Sequence, residues 1–187
     1  MIHLVGPGGA GKSTVAPLLA ALLGVWFHDL DAAFTATYGS VDTFIDLHGY
    51  RAYAAANVRT YFSLTAAGTD VAALSSGFMV YPPDVEPRYA TLRAALAVSP
   101  MTVVLLPALE VEPCVAETVR RQVSRSAGRT TAARAEAKIR ERFALYSALP
   151  ARKVATACPP EAVAAEIASS VGAVRQGGMR DNQPCSG

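Results

Sequence analysis

The stretch GPGGAGKST, residues 6 to 14, constrains this chain more than any other segment, because it dictates an unusual backbone almost at the start. Gly6-x-x-x-x-Gly11-Lys12-Ser13 matches the phosphate-loop pattern in full. Each residue type has a physical task. Glycines let successive backbone N–H groups turn inward around an anion, which side chains would obstruct. The lysine supplies a point charge to the β- and γ-phosphates of a nucleotide, and the serine hydroxyl is a ligand for Mg²⁺. The motif needs a strand before it and a helix after it. IHLV (residues 2 to 5) is a short apolar run suited to a buried parallel strand. From Lys12 to Leu23 an apolar stripe of Val15, Leu18, Leu19, Leu22 and Leu23 predicts a helix whose positive end points at the phosphates. Gly6, Gly8, Gly9, Ala10, Gly11, Lys12, Ser13 and Thr14 are therefore the expected nucleotide-binding residues, with a nucleoside triphosphate and Mg²⁺ as the ligands.

Beyond the loop, short apolar runs alternate with helical patterns. VWFHD, DVAALS (70 to 75), MTVVLL (101 to 106) and RKVATA are four further strand candidates. Residues 31 to 66 are helix-rich, with breaks near Tyr38-Gly39 and His48-Gly49. Helices are also expected from residues 84 to 96, over VEPCVAETVRRQV, over AARAEAKIRERFALYSAL, and over PPEAVAAEIASSV. This alternation predicts an α/β fold, a five-stranded parallel sheet with helices on both faces. One domain is expected over residues 1 to 172, with a disordered tail over 173 to 187.

Composition excludes several classes. A net charge of +2 over 187 residues is too weak to suggest nucleic acid as a partner. Three separated cysteines (Cys114, Cys158, Cys185) fit neither a disulfide framework nor a zinc site, and agree with a reducing cytoplasm. Lys12 followed by VAPLLAALLGVWF imitates a signal peptide, but Pro17 interrupts the run and two aspartates follow it. No apolar run approaches the ~20 residues of a membrane span. Arginine is concentrated at Arg120, Arg121, Arg125, Arg129, Arg134, Arg140 and Arg142, a density that marks either a solvated helix face or a segment facing polyphosphate.

Several stretches together resemble the shikimate kinase family, within the nucleoside-monophosphate-kinase-like group. These are LVGPGGAGKSTVAPLLAALLGV followed by FHDLD, the segment YGSVDTFIDLHGYRAYAAANVRTYF, the run TVRRQVSRSAGRT, and ERFALYSAL with its Arg-x-x-Leu-Tyr. The resemblance covers residues 2 to 171 and implies a three-layer P-loop NTPase fold. It implies a substrate-binding helical segment at about 31 to 66 and a mobile lid at about 122 to 133. It also implies a cytoplasmic kinase, monomer or weak dimer, that moves the γ-phosphate of ATP to a hydroxyl of a small metabolite. Asp29 would bind the magnesium shell together with Ser13, and Asp31 would bind the acceptor hydroxyl as base or orienter. Arg121 would lie on the adenine side, and either Arg125 or Arg129 would reach the γ-phosphate. Arg142 would bind the acceptor. Two carboxylates at i, i+2 on a strand point the same way, which suits Asp29 and Asp31; the alternative for either is helix capping.

Three departures from the family pattern bear on the acceptor. Tyr53-Ala54 stands where the family has Phe-Arg, whose arginine grips the shikimate carboxylate; Arg51 or Arg59 is a possible substitute. Ser75-Ser76-Gly77 replaces a Gly-Gly-Gly, leaving Gly77 for close approach to the substrate. GFMVYPPDVEP is bulky for a substrate rim. Holding a carboxylate from both sides takes two arginines, so an altered acceptor is expected: a sugar, a cyclitol or another small alcohol. The rivals are shikimate itself, an ATPase module with no small-molecule acceptor, and a degenerate kinase that binds nucleotide without turnover. Of the remaining residues, His28 is a minor acceptor-side candidate. His3 is expected to be structural, Trp26 to lie in the core, and Tyr50, Tyr53 and Tyr61 to pack, with one of them able to line the acceptor pocket.

Overall fold

The structure, a computed structural model, describes residues 1–126 and 132–178. Five short strands form one parallel sheet in the order β2-β3-β1-β4-β5: β1 (Ile2–Val5), β2 (Phe27–Asp29), β3 (Val71–Ala73), β4 (Thr102–Leu106) and β5 (Arg152–Ala155). Between them run α1 (Lys12–Leu23), α2 (Leu30–Tyr38), α3 (Val41–Ala66), α4 (Tyr89–Val98), α5 (Val111–Ser126), α6 (Ala132–Ser147) and α7 (Pro160–Gly178). A 3-10 turn covers Phe78–Val80.

The three inner strands β1, β3 and β4 are buried along their whole length because both faces of the sheet are covered there, whereas the edge strands β2 and β5 carry polar, partly exposed residues. Alternate residues enter two separate cores. Ile2, Leu4, Val103, Leu105 and Val154 meet α1 and α7 on one face through Val15, Leu19, Val163 and Ile167. Val5, Leu74, Val104 and Leu106 face a second core rich in aromatic rings, including Phe34, Tyr53, Tyr61, Phe78, Tyr81, Tyr89 and Tyr146. β1 sits mid-sheet with β3 and β4 as neighbours, and the chain leaves it directly into the glycine loop. That exit lies at the switch in strand order, where open α/β sheets bind their ligands.

Differences from the sequence expectations have local causes. Helix α4 begins at Tyr89 rather than at residue 84, because Pro87 keeps the residue before it out of the helical region. Helix α3 is interrupted at Gly49, whose φ of 81° breaks the helical ladder, as the His48-Gly49 break predicts. Helix α7 continues to Gly178, beyond the expected boundary at Gly172; residues 173–176 carry no helix-breaking type, and 179–187 lie outside the described residues. Trp26 is not core: it is 78% exposed, since β2 is the edge strand and Trp26 precedes it where no helix covers that side. Among the described residues no helix is long and apolar enough to cross a membrane.

His3 is buried in β1 and shares a 2.9 Å hydrogen bond between Nε2 and Tyr61 Oη, as a structural histidine would. Burial lowers its pKa from 6.5 to about 4. Between those values the unfolded chain binds the proton more tightly, so stability is present above pH 6.5 and is lost as pH falls through about 4. Denaturant melts should show a loss of up to about 3 kcal/mol across that window, and His3→Gln should flatten the dependence; an unchanged slope in the variant would assign the acid sensitivity elsewhere.

Candidate active site

The loop between β1 and α1 is shaped by three glycines with positive φ: Gly6 at 147°, Gly9 at 83° and Gly11 at 89°. Gly6 has no room for a side chain, because a Cβ there would lie 2.2 Å from the Leu105 carbonyl oxygen on β4. Gly11 occupies the N-cap of α1, and no side chain caps that helix. Its first amides are thus left for an external anion. Lys12 is buried, and its Nζ donates to the carbonyls of Gly6 (2.8 Å) and Pro7 (3.0 Å), so the loop wraps around the ammonium. Burial lowers its pKa from 10.5 to about 8; Asp31 and Asp29 oppose that shift and Arg142 adds to it. Ser13 and Thr14 follow on the exposed side of the first turn, and Ala10 is fully buried. A glycine cradle, an uncapped helix start and a buried cation fit a polyphosphate.

Beside the loop lies a cavity of about 250 Å³ bounded by Gly9, Gly11, Thr14, Arg121, Cys158 and Pro160. Arg121 spans it from α5. Its Nη1 donates to Gly9 O (3.1 Å) and Thr156 Oγ1 (3.3 Å), its Nη2 to Thr156 O (3.0 Å), and its Nε to Glu117 (2.7 Å). Two other arginines on α5 illustrate different cases. Arg120 pairs outward with Glu117, whereas Arg125 falls in the last turn of α5 and its side chain lies outside the described residues. Arg129 also lies outside them, within residues 127–131 of the expected lid; the described ends of that segment are helical, in α5 and α6.

The acceptor side faces the aromatic core. Ser75, directly after β3, donates from Oγ to Asp31 Oδ1 at 2.5 Å. Arg142, on α6, donates from Nη1 to Ser76 Oγ at 2.9 Å, and its charge opposes the rise that burial imposes on the Tyr50 hydroxyl pKa. Gly77 is the point of closest approach: a Cβ there would lie 2.7 Å from Tyr50 Oη and 2.9 Å from Tyr81 Cε1, with Arg142 Nη2 at 3.5 Å. Tyr50 is partly exposed at this rim, while Tyr53 and Tyr61 are buried.

Several expectations change in detail. Strand β2 ends at Asp29, so the i, i+2 strand argument does not govern Asp31, which the first turn of α2 aims instead. The capping role falls to Asp29, whose carboxylate accepts from Ala32 N at 3.0 Å. Arg51 is not brought to the acceptor side as a free cation. It makes a two-pronged pair with Asp84, at 2.8 and 3.1 Å, with both side chains largely exposed (62% and 70%). Arg59 is exposed on α3. Ala54, in place of the family arginine, is fully buried among Phe34, Tyr53 and Tyr81. The β5–α7 turn at Thr156–Pro160 was missed from sequence as a wall of the loop cavity; its signal is a strand end followed by Pro159-Pro160 opening a helix.

A glycine loop closed on a buried lysine at the switch point of a five-stranded parallel sheet, with helices on both faces, defines a P-loop nucleotide-binding protein. The family described as Shikimate kinase matches residues 8–171, and the chain belongs to that family of phosphotransferases, which take ATP and act on an alcohol group. A shikimate kinase from Halorhodospira halophila is 42% identical over 82 residues, which cover 43% of this chain; the match spans 46% of that curated relative's length. Among solved structures, a shikimate kinase from Acinetobacter baumannii in complex with shikimate has a TM-score of 0.69 and 25% identity, covering 93% of each chain. A gluconokinase from Sinorhizobium meliloti shares the fold at a TM-score of 0.58 and 15% identity, covering 97% of each chain.

The buried amine makes a test of the loop. Above about pH 8 the free protein loses the Lys12 proton, so binding of ATP there should take up a proton, and its affinity should fall by up to about tenfold per pH unit. Stability of the nucleotide-free protein should move the opposite way, rising as pH rises from about 8 to 10.5, because there the unfolded chain binds the proton more tightly. Titration calorimetry in buffers of different ionisation enthalpy reads the uptake, and Lys12→Ala should abolish it along with measurable nucleotide binding.

Proposed function

We propose that this protein transfers the γ-phosphate of ATP to a hydroxyl of a small metabolite other than shikimate. The observation that carries the reading is the glycine loop closed on the buried Lys12, whose Nζ donates to Gly6 O and Pro7 O at the uncapped start of α1. Asp31, Asp29 and Arg142 all act electrostatically on the buried Lys12 ammonium. Phosphoryl transfer asks little covalent help from a protein. It asks for a positioned nucleophile and for neutralised charge. In this reading the loop amides from Gly6, Gly8, Gly9, Ala10 and Gly11, with Lys12, Ser13 and Thr14, hold the triphosphate, while Arg121 borders the nucleoside. Asp31 orients the acceptor hydroxyl and accepts its proton. Arg125 or Arg129 supplies cationic closure over the transferring phosphate.

Mg²⁺ supplies charge neutralisation across the β- and γ-phosphates when bound. Among the described residues no cluster of three or more His, Cys, Asp or Glu could hold a metal. That donor set fits an ion arriving on the nucleotide, touched by the Ser13 hydroxyl and through water by Asp29, better than a resident cage.

The altered acceptor is supported by the surroundings of Arg142. Its guanidinium is engaged by Ser76, Arg51 is engaged by Asp84, and the position of a second arginine is a buried alanine, Ala54. One partly satisfied cation suits a neutral polyol or sugar better than a carboxylate gripped from two sides. Shikimate itself remains the second reading, favoured by the retained Arg142 and by the shikimate-bound relative. Cysteine use and the absence of a long apolar helix among the described residues support a cytoplasmic enzyme, and we take it as a monomer or weak dimer.

Asp31→Asn should lower transfer by about 100-fold or more while leaving ATP affinity within a factor of two; near wild-type turnover would reduce Asp31 to a structural residue. An ATP-consumption screen over shikimate, sugars, cyclitols and amino-alcohols should find a neutral alcohol as the best acceptor, and shikimate turnover at ordinary kinase rates would establish the second reading. With the best acceptor, Gly77→Ala should raise the acceptor KM and spare ATP binding, because its Cβ displaces Tyr50.

A further inference from the structure

Asp31 is largely exposed on the first turn of α2, and an exposed carboxylate samples several rotamers. One of its oxygens is nonetheless held. Ser75 follows β3, its neighbour Leu74 donates from N to Leu4 O on β1 (2.9 Å), and Ser75 O accepts from Phe78 N (2.9 Å). The Ser75 backbone is therefore anchored between the sheet and the turn that follows it. Ser75 is 2% exposed, and its hydroxyl lies 2.5 Å from Asp31 Oδ1, the short distance of an O–H donor on a charged acceptor. Behind it runs a buried series of polar groups. Tyr53 lies beside Ser75 and Tyr81, both of which act to lower a hydroxyl pKa that burial raises, and Tyr81 donates to Asn57 Oδ1 at 3.1 Å. These side chains come from α3, from the end of β3 and from the turn after Phe78–Val80. Tyr53 and Ser75 are also two of the positions that depart from the family pattern, and the fold brings them near enough for Ser75 to act on the Tyr53 hydroxyl.

We propose that Ser75, backed by Tyr53, is a positioning residue that locks the Asp31 carboxylate in one orientation through Oδ1. Among the described residues Oδ2 accepts no hydrogen bond, which leaves it as the oxygen that meets the acceptor hydroxyl. The inference rests on the reading of Asp31 given above. Ser75 touches neither phosphate nor acceptor in this scheme; it acts by holding Asp31.

The test compares Ser75→Ala, Tyr53→Phe, Asp31→Asn and the double variant Asp31→Asn/Ser75→Ala in the full chain. The readouts are initial rates with ATP and the fastest acceptor of the screen, phosphate release from ATP with water alone, and affinity for a fluorescent ATP analogue. Ser75→Ala should lower kcat by about 10- to 100-fold, as expected for losing a hydrogen bond to a charged group, with nucleotide affinity unchanged. Tyr53→Phe should give a smaller loss of the same kind, and the double variant should be no slower than Asp31→Asn. Wild-type kcat in Ser75→Ala, or losses that multiply in the double variant, would overturn the proposal. If Ser75→Ala does not fold, the near-isosteric Tyr53→Phe decides: a lowered kcat at constant nucleotide affinity supports the lock, and an unchanged kcat removes it. If Asp31→Asn turns over normally, the reading of Asp31 falls and the lock falls with it.

Discussion

A lysine ammonium buried against two backbone carbonyls is costly unless the surrounding loop is built for it. In this protein the Gly6 and Pro7 carbonyls take two of the three N–H donors of Lys12. That geometry exists only because Gly6 passes under Leu105 of β4 where no side chain fits, and because Gly11 turns the chain into α1 without a capping side chain. The sheet around the loop follows from the same need. Strands β3 and β4 flank β1 and hold the loop's entry, and α1 is clamped on the sheet by the apolar core shared with α7. Even charge is arranged around this one group, since the carboxylates that raise the Lys12 pKa are those at the end of β2 and the start of α2.

The two faces of the sheet serve different ends. The α1/α7 face is aliphatic and packs like the interior of any α/β domain. The opposite face is lined by tyrosines and phenylalanines whose rings meet edge to face, among them Phe34 with Tyr53 and Tyr53 with Tyr81. Buried tyrosine hydroxyls need partners, and two find them in the turn after β3: Tyr146 with Ser76 O and Tyr89 with Phe78 O. The packing of that core and the orientation of polar groups at the acceptor side are therefore one problem.

Much of the fold was legible from residue patterns. All five strands fall within the strand candidates identified from sequence, and the inner ones were plainest because a strand buried on both faces leaves a nearly continuous apolar signature. Gly49 was legible as a helix break because left-handed backbone favours glycine. Trp26 was not, because an apolar residue beside a strand reads as core whether or not a helix lies over it. The donor side was readable as a contiguous motif. The acceptor side was not, since Asp31, Ser75, Tyr53 and Arg142 lie far apart in the chain and only their meeting gives them meaning.

By itself the sequence determined the phosphate loop, its strand and helix, and the parallel α/β architecture, because those depend on interactions between residues close in the chain or on simple burial. Only the tertiary structure decided that Asp29 caps α2 while Asp31 turns to Ser75, that Arg51 is paired with Asp84, and that Arg142 is engaged by Ser76. These are choices among equally available partners. Side-chain chemistry permits each of them, and long-range packing selects one.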